Sequence, residues 1–120
     1  MDNMSDIAST FYQYFNTINQ AYLEGLVPEE AKLPYMTYSL SYSAEYEDDL
    51  IQVKVYDSGT SLKRISDITN KLSNDIGFGK TLKTKNGTLW LKKGEPFAQF
   101  IRLENEVAIY INLITNYLRG

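Results

Sequence analysis

The chain reads as an α+β domain: an antiparallel sheet of about six strands with two helices packed on one face. Three observations predict this. Residues 34–57, PYMTYSLSYSAEYEDDLIQVKVYD, alternate with period two, first on one parity and then on the other. Two other stretches repeat their apolar residues at spacings of three and four. Between alternating runs near residue 86 stands Asn-Gly, the strongest short hairpin signal. A helix that precedes a hairpin, with a second helix after it, places both helices against one sheet, in the order α-β-β-α-β-β-β-β.

Each element has its own warrant. Ile7, Phe11, Tyr14, Phe15, Ile18 and Tyr22 fall on one face of an opening helix. Asn3 or Ser5 is suited to cap its first turn, and Gly25 its C-terminus. Residues 27–33, VPEEAKL, form an acidic connector marked by proline. In the hairpin that follows, Met36, Tyr38, Leu40, Tyr42, Ala44 and Tyr46 alternate with small hydroxyl residues. After the acidic turn Glu47-Asp48-Asp49, Ile51, Val53 and Val55 face inward and Gln52 and Lys54 outward. This hairpin is expected at the centre of the sheet. A second helix carries Leu62, Ile65, Ile68, Leu72 and Ile76 as a narrow apolar stripe, with Ser58 or Thr60 as N-cap and Gly77 just past its end. Residues 80–92 form a tight hairpin with Asn86-Gly87 in a type I′ turn. Its arms place Leu82, Thr84, Leu89 and Leu91 on one side and Lys83, Lys85, Trp90 and Lys92 on the other. Residues 97–103 and 107–114 complete the sheet; the last run also fits a helix, but its β-branched and aromatic load favours a strand.

Composition removes several function classes. The 120 residues suffice for one domain, 1–120, that buries a core without disulfides or metal. There is no cysteine, so neither a disulfide framework nor a thiolate metal site is possible. There is no histidine, the usual general base near neutral pH and the commonest metal ligand. No apolar run approaches the roughly 20 residues of a membrane span, and MDNMSD lacks the layout of a signal peptide. The expectation is a protein that is not an enzyme, has no cofactor or metal, and does not engage a membrane.

Charge is unevenly distributed. Residues 1–50 hold nine acidic side chains and one basic one; residues 51–94 hold nine basic and three acidic. Ordinary solvated charge is the simplest reading. The asymmetry also suits a nucleic-acid face or a protein that docks its positive end on a neighbouring copy's negative end. Gly79-Lys80-Thr81 resembles a phosphate loop only superficially, because position 74 is Asn and the segment leaves a helix to open a strand. Glu45, Glu47, Asp48 and Asp49 could attract a divalent cation weakly, yet a solvated turn explains them better. The hairpin lysines Lys80, Lys83, Lys85, Lys92 and Lys93, with Trp90 among them, suit either a nucleic-acid platform or a charged sheet edge that resists aggregation.

The layout resembles the small tail-terminator and tail-completion (head–tail joining) proteins of long-tailed phages and phage-like particles. The resemblance is carried by the opening amphipathic helix, Leu33-Pro34-Tyr35 leading into a strand, and a hairpin that ends in VKVYD. A Ser/Thr-started helix and a return arm reading TLWLKKGEPFAQF complete it. It covers about residues 5–118 through diffuse patterns, with no signature residue. It implies a virion protein of the phage tail or neck, made in the host cytoplasm. Copies would form a homo-oligomeric, typically hexameric ring that ends tail-tube polymerisation and meets the head–tail connector. The implied partners are further copies, the tail tube protein and the connector or stopper protein, with DNA only as a strand passing through the lumen. The interface residues expected on this reading are Lys80, Lys83, Lys85, Trp90, Lys92, Lys93, Glu45, Glu47, Asp48 and Asp49. The alternative is a small nucleic-acid-binding module that uses the lysine-rich hairpin 80–93.

Overall fold

The structure, a computed structural model, describes residues 4–41, 47–59 and 61–119, the last of these without its side chain. Its elements are α1 (Met4–Ile18), β1 (Ala21–Leu23), β2 (Tyr35–Tyr38), β3 (Asp48–Ser58), α2 (Lys63–Ile76), β4 (Lys80–Lys83), β5 (Gly87–Arg102) and β6 (Glu106–Arg119). They form a six-stranded sheet in the order β1-β2-β3-β6-β5-β4, antiparallel except for the β1–β2 pair. Both helices pack on one face, so the protein has the α+β architecture that the periodicities predict.

The core lies between the helices and that face. From α1 come Ile7, Phe11, Tyr14, Phe15 and Ile18, and from α2 Ile65, Leu72 and Ile76. Opposite them stand Ile51, Val53 and Val55 of β3, Leu89 and Leu91 of β5, and Ile109, Ile111 and Leu113 of β6. Burying each such side chain contributes roughly 1.5–3 kcal/mol. Four polar contacts lock the helices to one another and to the sheet. The Tyr14 hydroxyl donates to Asp75 Oδ2 at 2.7 Å, and Lys80 Nζ lies 3.3 Å from the same atom. Lys71 Nζ donates to the carbonyl of Ile18 at the end of α1. Arg64 in the first turn of α2 grips Asp57 at the end of β3 with two hydrogen bonds of 2.8 and 2.6 Å.

The structure corrects several sequence-based expectations. β1 escaped the sequence reading because three residues carry no measurable period; Tyr22 belongs to it and not to α1. Gly25 adopts φ +88° in the turn after β1, so it does not cap the helix. Ser5 lies inside α1; Asn3 falls outside the described residues. β2 covers only Tyr35–Tyr38, and Tyr42, Ala44 and Tyr46 fall outside the described residues. The centre of the sheet is β3 with β6, while β2 lies one strand from an edge. β3 and β6 match over eleven residues, β2 and β3 over only four. The two strands expected around Gly94-Glu95-Pro96 are one long β5. Its register shifts between Lys93 and Ala98, where the Asn112 side chain donates to the Pro96 carbonyl.

Two turns are also closed differently. Thr84 N–H donates to Gly87 C=O, which makes Lys85-Asn86 the turn pair and starts β5 at Gly87. Gly87 is required by space: a Cβ there would lie 2.5 Å from the Leu118 carbonyl oxygen and 2.8 Å from Tyr117 Oη. At the start of α2, Leu62 is the N-cap without a side-chain bond; Ser61 Oγ accepts from Lys63 N–H, while Ser58 ends β3 and Thr60 is not described. Gly77, at φ 55°, ends α2 as expected.

Candidate assembly surface on the helix-free face of the sheet

Because side chains alternate across a strand, the strands that build the core also present a second face. No helix covers it. Its rows follow from the register. Tyr35, Tyr56 and Ala108 share one row, Thr37, Lys54 and Tyr110 a second, and Leu50, Ile114 and Lys92 another. Asp48, Asn116, Trp90 and Thr81 form the last of these rows, across four strands.

The two ends of this face differ. At the end nearer β1 and β2, tyrosines pack on one another: Tyr22–Tyr35 at 6.0 Å and Tyr35–Tyr56 at 5.6 Å between ring centroids. Lys54 Nζ stands 5.0 Å over the Tyr110 ring and 2.7 Å from Glu24 Oε1. The hydrogen bond to Glu24 raises the Lys54 pKa against the opposing effect of burial. Burial pushes up the Tyr56 and Tyr35 hydroxyls, with Glu106 adding to the effect at Tyr35. The rings and Lys54 pack on one another, so this end is largely covered by its own side chains.

The other end is not. Leu50 is 62% exposed, Leu118 42% and Trp90 37%, with half-buried Ile114 between them. Around these apolar side chains stand Asp48, which accepts from Asn116 Nδ2 at 2.9 Å, and Lys92, whose ammonium lies 5.4 Å from the Trp90 ring centroid. Trp90 is held in position from below: a Cβ on Gly79 would come within 2.8 Å of its Nε1. Gly79 therefore belongs to this surface, a role invisible in a sequence that shows only two glycines at a helix end. An apolar centre containing a tryptophan, with charges at its rim, is the anatomy of a protein–protein contact.

The residues singled out in the sequence distribute unequally. Asp48, Trp90 and Lys92 converge on this end of the face. Lys83 and Lys85 are exposed nearby on β4 and its turn. Lys80 and Lys93 point to the helix side, opposite Leu91 and Leu113; Lys80 pairs with Asp75, and Lys93 Nζ lies 5.3 Å from the Phe97 ring centroid. Glu47 is exposed at the mouth of β3, Asp49 is half-buried on the helix side in line with Thr115, and Glu45 falls outside the described residues. The acidic turn and the basic hairpin thus meet at one end of the molecule. Leu50, Ile114 and Leu118 were missed because a solvent-facing leucine or isoleucine carries no signal until the sheet's free face is known.

Among the described residues no group of three or more acidic side chains is arranged to hold a metal ion, and no helix is long and apolar enough to cross a membrane. A cleft of about 430 Å³ beside the surface is lined by Ser73, Asn74, Gly77, Phe78, Lys92 and Lys93.

No family model and no curated protein matches the chain. A solved structure superposes on it with a TM-score of 0.68 at 11% sequence identity, covering 100% of this chain and 99% of that one. At that identity the likeness shows the shared fold alone.

Proposed function

We propose that the protein is a structural assembly subunit of a phage or phage-like tail, forming a ring at the head-proximal end of the tube. The observation that carries this reading is the apolar end of the helix-free face, Leu50, Ile114, Trp90 and Leu118, rimmed by Asp48 and Lys92. In a ring this surface meets a different patch on the next copy, since a contact repeated head to tail is heterologous. The layout resembling tail terminators supplies the biological setting, with tube and connector as the partners above and below.

The nucleic-acid alternative draws on the same tryptophan and lysines. It is less well supported, because the Trp90 ring is already engaged by Lys92 and Gly79, and Asp48 stands in its row.

The test uses solution mass together with the fluorescence of Trp90, the sole tryptophan. Assembly should give a mass near about six copies of the 13.8 kDa chain. It should also shift Trp90 emission to shorter wavelength and shield it from quenchers. Trp90→Ala combined with Leu50→Ser should leave a folded monomer. An assembled species whose Trp90 stays fully accessible would remove the proposed surface. A monomer that binds oligonucleotide with steep salt dependence would put the nucleic-acid module first.

A further inference from the structure

We propose that the outer edge of β4, with the face of α1 beside it, receives an extended acidic segment of another polypeptide as an added strand. The two edges of the sheet are finished differently. At β1, the Asn16 side chain of α1 takes both backbone groups of Ala21, accepting from its N–H at 3.0 Å and donating to its C=O at 3.2 Å. Leu26 N–H closes the Leu23 carbonyl at 2.9 Å. The chain itself thus closes three of the four outward backbone groups of Ala21 and Leu23.

The β4 edge is not sealed. Thr84 N–H bonds Gly87 C=O, so by antiparallel alternation the backbone groups of Lys80 and Leu82 also point to β5. Those of Thr81 and Lys83 point outward, and among the described residues they meet no partner. Beside them runs a groove of about 340 Å³ whose other wall is one stripe of α1, Thr10, Gln13 and Thr17, with Tyr14 at its base. A strand edge flanked by a helix is the geometry in which an extended peptide adds to a sheet, main-chain bonds giving affinity and flanking side chains selectivity.

Charge selects the partner. Lys80 is held by Asp75, but Lys83 and Lys85 are exposed and enter no ion pair among the described residues. An incoming strand with glutamates or aspartates on alternate positions would meet both. Lysines on an edge also serve to repel strands in general, and the experiment distinguishes this from selection. The proposal does not depend on the ring, because it concerns the edge backbone of the single chain; Thr81, Lys83 and Lys85 border the face proposed for assembly.

The probe is a short, blocked, fluorescein-labelled peptide alternating glutamate with threonine, followed by anisotropy at about 0.05 M and about 0.3 M salt. Saturable binding that weakens with salt is expected, with amide exchange slowing at Thr81 and Lys83. Thr81→Pro deletes an outward N–H and spares the β4–β5 bonds; it should weaken binding about tenfold or more. The same peptide N-methylated on alternate residues tests the bonds from the other side, with the protein unaltered, and should not bind. Lys83→Gln with Lys85→Gln should lower affinity and flatten the salt dependence. Unchanged binding of the N-methylated peptide, or equal binding of a lysine-for-glutamate peptide, overturns the proposal. So does concentration-dependent protection of Thr81 without peptide, which would make a second copy the occupant.

Discussion

The two faces of this sheet are built from the same strands yet have opposite fates. On β6, Leu113 is fully buried and its neighbour Ile114 half-exposed; on β3, Ile51 is fully buried and Leu50 is 62% exposed. Hydropathy does not separate the members of either pair. Parity separates them, together with the fact that both helices lie on one side. The covered face is packed under the helices, whereas among the described residues nothing covers the apolar end of the free face. A residue of core chemistry in a position of surface parity therefore points outward, where on the proposed reading another copy covers it.

The sharpest way to break this comparison is to truncate one residue on each face. Leu113→Ala should cost about 2–5 kcal/mol, because it is fully buried in the core and its loss leaves a cavity. Leu50→Ala should stay within about 0.5 kcal/mol in monomer stability and should instead weaken assembly. Thermal or denaturant unfolding of both variants measures the contrast; similar losses would mean that the free face is not free.

Gly87→Ala ranks next. Its Cβ would stand 2.5 Å from a backbone oxygen of β6, which cannot retreat as a side chain end can. A loss of about 1–3 kcal/mol is expected in denaturant titration.

Asp57→Asn sharpens the comparison at the join between sheet and helix. Burial alone would raise the Asp57 pKa, but the hydrogen bonds from Arg64 and from Ser58 N–H outweigh it and hold the carboxyl below the usual carboxylate range. A carboxyl whose folded pKa lies below its unfolded value of about 3.9 adds stability that is fully present above that value. The contribution is lost as pH falls through the lower, folded value. The variant should therefore be less stable by about 1–3 kcal/mol at neutral pH, and the gap should close below about pH 4. Unfolding curves at several pH values measure this, and a gap independent of pH would mean that the charge is not what matters.

The smallest effect is expected for Tyr14→Phe, which removes the bond to Asp75 between the helices and leaves the ring in place. About 1 kcal/mol should be lost, with Asp75 still paired to Lys80. Urea unfolding resolves that difference.

Much of this molecule was legible before its structure. The stripe Ile7, Phe11, Tyr14, Phe15, Ile18 named the buried face of α1 residue by residue, because helical period is a local property of the chain. The alternation of Ile51, Val53 and Val55, and of Leu89 and Leu91 against Trp90 and Lys92, gave the correct parity for the same reason. Those local periods, the absence of histidine and cysteine, and the α+β class were determined by the amino-acid sequence itself. Tertiary structure alone decided what depends on residues far apart. It made β3 and β6 the centre, by pairing two strands that are distant in the chain. It fused two expected strands into β5 across an irregularity tied to Asn112. It called for glycine at 79 and 87 to fit Trp90 and the end of β6. It turned Lys80 and Lys93 to the helix side and put Leu50, Ile114 and Leu118 on the face opposite the helices. A period tells each side chain which of two directions to take; only packing of distant segments decides what waits in that direction.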